Sequence, residues 1–150
     1  MTIGFEATVV RRLAQLIFCL TLTVACASCH SLRISSNKTI PPTFNLSAGI
    51  AECCTTFNTV KVFDDFNANH EPVWEIRTDY SMDARRSDFD ITYGVVPEKF
   101  TQAIPKTGIE PPLVEGKTYL VIAGDGSYVP WARICFYIDG GKTIERVCPR

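Results

Sequence analysis

The densest run of oxygen ligands in the chain is Asp64-Asp-Phe-Asn-Ala-Asn-His-Glu71, in which Asp65, Asn67 and Asn69 fall at the alternating spacing that opens a calcium loop. A calcium-binding helix-loop-helix would next require glycine at position 70 and a bidentate Glu at position 76. The chain has His70 and Ile76 there. The run therefore reads first as a polar hairpin loop, with a calcium-dependent protein or hydrolase centred on residues 65–71 as the alternative. Of the two histidines, His30 lies in a polar stretch and only His70 is placed to act as a general base. No serine or cysteine nucleophile is tied to it by a local motif, so no catalytic residue is assigned. No cofactor motif is present either.

Seven cysteines are many for 150 residues. In an exported protein such cysteines are read as disulfides before anything else. Cys135 and Cys148 flank the turn Asp139-Gly-Gly-Lys142 between two β-like runs. A four-residue loop sets them directly opposite, and a two-residue loop sets them diagonal; both registers leave the thiols on one face. They bond there, or stay reduced as small half-buried residues. The adjacent Cys53 and Cys54 lack the two-residue gap that lets neighbouring thiolates reach one tetrahedral zinc, so no metal site is expected.

Trp131, Arg133, Tyr137 and Arg146 alternate along the same last hairpin, opposite its apolar residues and beside the two cysteines. Exposed aromatic rings next to arginine are typical of interaction surfaces. The same face can instead pack under a second layer. Glu75, Arg77, Asp79, Asp83, Arg85, Arg86 and Asp88 form a mixed charge run that reads as a solvated strand face and loop.

The elements that must hold these residues are short strands. Residues 59–63, 73–80, 89–95, 117–123, 131–138 and 144–148 are short β-like runs; 73–80, 89–95 and 131–138 alternate in type, with Phe89, Ile91, Tyr93 and Val95 on one side of the third run. Turn residues separate them: Asn67-Ala-Asn69, Pro105 to Gly108, Pro111-Pro112, Gly124-Asp-Gly126 and Asp139-Gly-Gly141. Six or seven such strands, with no helical pattern beyond the first 27 residues, predict a mainly β domain over residues 51–150. The expected form is an antiparallel, immunoglobulin-like β-sandwich. At 46% hydrophobic the chain can fill one core, and its formal net charge of -1 lacks the basic excess that nucleic-acid binding requires.

The chain begins differently. Arg11 and Arg12 precede an uncharged run over residues 13–25, a charged segment followed by an apolar one, as in a secretion signal. The run is short of the ~20 apolar residues that span a bilayer. Leu22-Thr-Val-Ala-Cys26 then resembles the lipobox of bacterial membrane lipoproteins, although Thr23 stands where that family prefers leucine. The resemblance implies cleavage after residue 25, a lipid on the Cys26 thiol and a membrane held through that lipid. Ala27, being other than aspartate, implies sorting to the outer membrane, facing the periplasm or the cell surface, where the source has the enterobacterial sorting system. Cys29 is a second candidate for the lipid, and ordinary cleavage between residues 25 and 28 is the other route. Residues 26–50, rich in Ser, Asn, Thr and Pro, read as a lipidated or flexible tether. The stretch around Pro111-Pro112-Leu113 and Gly116-Lys-Thr-Tyr119 is similar to small bacterial lipoproteins whose domains have no assigned activity. That resemblance supports the class and adds no chemistry. The reading of the chain as a whole is a non-catalytic envelope module, binding or structural, whose partner is a protein or a glycan.

Overall fold

The computed structural model describes residues 32–49, 56–65, 71–85, 88–126 and 132–149. Nine strands run through them: β1 (Leu32–Ser36), β2 (Thr43–Ala48), β3 (Thr56–Phe63), β4 (Trp74–Asp83), β5 (Phe89–Thr92), β6 (Thr101–Ile104), β7 (Thr118–Gly124), β8 (Ala132–Asp139) and β9 (Lys142–Arg146). They form a three-stranded sheet in the order β1-β2-β5 and a six-stranded sheet in the order β6-β4-β3-β7-β8-β9. Every neighbouring pair is antiparallel.

The two sheets pack face to face as a β-sandwich because each carries apolar side chains at every second position. Phe44 and Leu46 of β2 and Ile91 of β5 meet Val60, Val62, Trp74, Val121, Phe136 and Ile138 of the larger sheet in one buried cluster. Ring pairs join the layers: Phe44 to Phe136 at 5.7 Å, Phe57 to Phe89 at 5.3 Å, and Trp74 to Tyr93 at 5.4 Å between centroids. The expected β-sandwich is thus present. An immunoglobulin constant-type domain has four and three strands; the sheets here have three and six.

The tether expected over residues 26–50 is corrected for its described part. Residues 32–48 form the β1–β2 hairpin, and Leu32, Phe44 and Leu46 are buried in the core. The polar composition of this stretch comes from its outward positions. Asn45 donates to Asp90 at 3.0 Å and the hydroxyls of Thr43 and Thr92 meet at 2.8 Å, both across the β2–β5 pair on the solvent side. At the hairpin connection, Asn37 accepts the Thr43 amide on its side-chain oxygen at 2.8 Å and donates its own amide to the Thr43 carbonyl at 2.9 Å. This is the local turn chemistry that short polar side chains supply.

Other boundaries also move. The third alternating run ends early, since the chain turns at Tyr93 and Gly94, where φ is +79°, and Val95 is 55% exposed instead of inward. Strand β9 starts directly after the turn, so it covers residues 142–146 and not 144–148. Strand β6 has no counterpart among the expected runs; its four residues are half-buried or exposed and show no alternation.

Candidate binding face

Of the residues singled out for binding, Arg133, Tyr137 and Arg146 lie on the outer face of the six-stranded sheet. On β8, Ala132, Ile134, Phe136 and Ile138 point into the sandwich and are buried, so Arg133, Cys135 and Tyr137 point away from it. Asp139 pairs with Lys142, leaving Gly140 and Gly141 as a two-residue loop with φ of +57° and +69°. Both central positions of this mirror-image turn need positive φ, which glycine adopts without steric cost. This tighter loop pairs Cys135 with Arg146 and sets Cys148 on the diagonal, two residues further on. The two cysteines form a disulfide there with their Cα atoms 5.1 Å apart. It fastens the segment that follows β9 to the sheet.

Around the disulfide the outer face is apolar. Phe63, Leu120 and Cys135 are buried, with Ile122 and Cys148 packed against them. Next to this zone the Arg146 guanidinium lies over the Tyr137 ring, 3.9 Å from its centroid, while Tyr137 is half-buried and Arg146 exposed. Such a cation–π contact at an exposed site contributes about 0.5–1 kcal/mol and holds both side chains flat against the sheet. Three of the four residues chosen for this surface, Arg133, Tyr137 and Arg146, thus share one face. Trp131 lies outside the described residues.

At the other end of the same face is a charged group that the sequence does not announce. Glu75 pairs with Lys61 across β3 and β4 and, unlike the solvated position expected for it, is 1% exposed. Its Oε1 accepts Arg77 Nε at 2.6 Å and lies 3.7 Å from Lys61 Nζ. The two cations surround the carboxylate and cover it, which is why a charge on an outer strand position becomes buried. The hydrogen bond to Glu75, reinforced by the charge of Glu75, raises the Arg77 guanidinium above its ordinary value. A cavity of about 260 Å³ opens above this triad, and Asn58, Asp79 and Asp125 also line it. A larger groove of about 620 Å³ lies at one side of the sandwich, between Ser36 at the end of β1, Lys38 in the β1–β2 connection and residues 142–145 of β9.

Most of the remaining candidates lie outside the described residues. Asp65 is exposed at the end of β3, whereas Asn67, Asn69 and His70 lie outside the described residues. Among the described residues no group of three His, Cys, Asp or Glu side chains is placed to hold a metal ion. Cys26, Cys29, Cys53 and Cys54 also lie outside them. No helix of the described residues is long and apolar enough to cross a membrane. No protein-family model, curated protein or solved structure matches this chain.

Proposed function

We propose that this protein is an exported, lipid-anchored and non-catalytic binding module that presents the outer face of its six-stranded sheet to an envelope protein or glycan. One observation carries the reading: an arginine stacked on a tyrosine, beside a disulfide, on a strand fixed from beneath by the sandwich core. A rigid sheet lowers the ordering cost of association, and an aromatic–arginine pair is the kind of anchor that dominates binding energy. The anchor to the membrane rests on the lipobox resemblance at Cys26. Two or three acyl chains would hold the domain at a bilayer, each buried methylene contributing about 0.8 kcal/mol.

Two measurements test it. The intact mass of protein extracted from membranes should show acylation that Cys26→Ser removes; an unprocessed N-terminus would sink the anchored reading. Capture of partners from envelope extracts should weaken in Tyr137→Ala and Arg146→Ala while thermal stability stays within a few degrees. Unchanged capture in both variants would remove this face as the binding surface.

A further inference from the structure

The cavity over Glu75 has the makings of a ligand site, and its parts specify a ligand class. Arg77 is 59% exposed, yet its Nε is fixed by the 2.6 Å bond to the buried Glu75. That bond uses the side edge of the guanidinium. The two terminal nitrogens form the other edge, a planar fork suited to a carboxylate, and no hydrogen bond from them to a described residue is seen. Lys61 adds a second cation on the same carboxylate oxygen. A carboxylate buried on a sheet face gives up hydration that packed apolar side chains would not have to give up. What Glu75 supplies in return is a guanidinium held in one orientation, so Glu75 is a positioning residue.

The other lining groups narrow the choice. Asp79 and Asp125 share the cavity with Arg77. Two carboxylates disfavour a bare anion, but they accept hydrogen bonds from hydroxyl groups, and Asn58 both donates and accepts. The ligand that satisfies fork and rim together carries one carboxylate and several hydroxyls on a small frame. At about 260 Å³ the cavity falls below the roughly 300–1,000 Å³ of pockets that enclose drug-sized ligands, which suits a single sugar ring. We infer that this cavity binds an acidic sugar, a uronic acid residue of a glycan, with its carboxylate on the Arg77 fork and its hydroxyls on Asp79, Asp125 and Asn58. The inference rests on the outer sheet face being a binding surface and names the chemistry of one ligand there.

The test is a titration of the full chain with methyl glucuronide, methyl glucoside and acetate, followed by amide chemical shifts. Saturable binding of the glucuronide, at least about tenfold tighter than either control, with shifts at Arg77 and Asp79, is expected. Arg77→Lys keeps the charge and removes the fork, so it should weaken glucuronide binding about tenfold or more; because it also loses the Nε bond to Glu75, binding is compared at a temperature where both proteins are fully folded. Ile109→Ala, an exposed position outside the cavity, should leave it unaltered. Equal binding of acetate, undiminished binding in Arg77→Lys, or no saturable binding in the millimolar range would each overturn the inference. Those results leave the broader reading standing as long as Tyr137→Ala and Arg146→Ala still weaken partner capture, which separates the two failures.

Discussion

Glu145, close to the end of the chain, accepts the backbone amide of Ser36 at 2.6 Å and the Ser36 hydroxyl at 3.1 Å. Two strand positions away, the Thr143 hydroxyl donates to the Thr39 carbonyl at 2.9 Å. Strands β1 and β9 are the edges of their respective sheets. These contacts stitch the two edges together along one side of the sandwich by side chains, where no backbone ladder runs. An edge so engaged is less available to pair with another chain.

Removing that stitch should be measurable. Glu145→Ala is expected to lower the unfolding free energy by about 1 kcal/mol in urea, the size of a partly exposed hydrogen bond. An unchanged midpoint would mean that the Ser36 amide is as well served by water.

The placement of β2 in the core makes a larger prediction. Phe44 has no exposed surface and packs tilted against Phe136, with ring centroids 5.7 Å apart. Phe44→Ala should therefore cost about 3–5 kcal/mol, as for other buried phenylalanines. A residue in a free tether would change stability by less than about 0.5 kcal/mol, so urea unfolding of this one variant decides between tether and strand.

The disulfide closes a loop with a sequence separation of 13 residues. By the loop-entropy relation, Cys148→Ser should destabilise the domain by about 3 kcal/mol. Reduction of the wild type should have a similar effect and leave the Cys148→Ser variant less changed. If denaturant midpoints of the two proteins agree under oxidising conditions, the bond contributes nothing.

Stability should also fall at alkaline pH through Tyr93. Its ring is buried, and its hydroxyl donates to the Pro111 carbonyl at 2.6 Å. Burial, then the Glu110 carboxylate, then Tyr119, push its ionisation well above the ordinary tyrosine range. The folded chain thus keeps a proton that the unfolded chain releases above about pH 10. The stability from keeping Tyr93 neutral is intact below that pH and declines above it, at up to about 1.4 kcal/mol per pH unit. Tyr93→Phe should start about 1 kcal/mol lower from loss of the hydrogen bond and then decline less steeply between pH 10 and 11. Parallel pH curves for the two proteins would refute this.

The last hairpin shows how far local pattern reaches. Alternation placed Ala132, Ile134, Phe136 and Ile138 inside, and parity put Cys135 and Cys148 on a common face whichever turn closed the loop. Strands β1 and β2 carry the same signal in Leu32, Ile34, Phe44 and Leu46, but each run is short and lies in polar company around Pro41 and Pro42, so composition masked periodicity. Strand β6 carries no such signal, because as an edge strand with no fully buried residue it is set by pairing with β4. Of the candidate site, the Tyr137–Arg146 surface was legible because its residues are neighbours on one hairpin. The Glu75 triad was only half so: Arg77 lies two positions away, while Lys61 reaches it through a strand pairing.

By itself the sequence determined the β class, the turns and which side chains of each long strand share a side. These follow from a period of two and from the φ that glycine permits, both properties of a few adjacent residues. Only the tertiary structure decided that residues 32–48 belong to the sandwich, that Glu75 is buried, and that Glu145 meets Ser36 across 109 positions. Burial and long-range partners depend on which strands become neighbours. That choice is made by the total apolar surface the two sheets cover when they close, a sum over the whole chain that no local window contains.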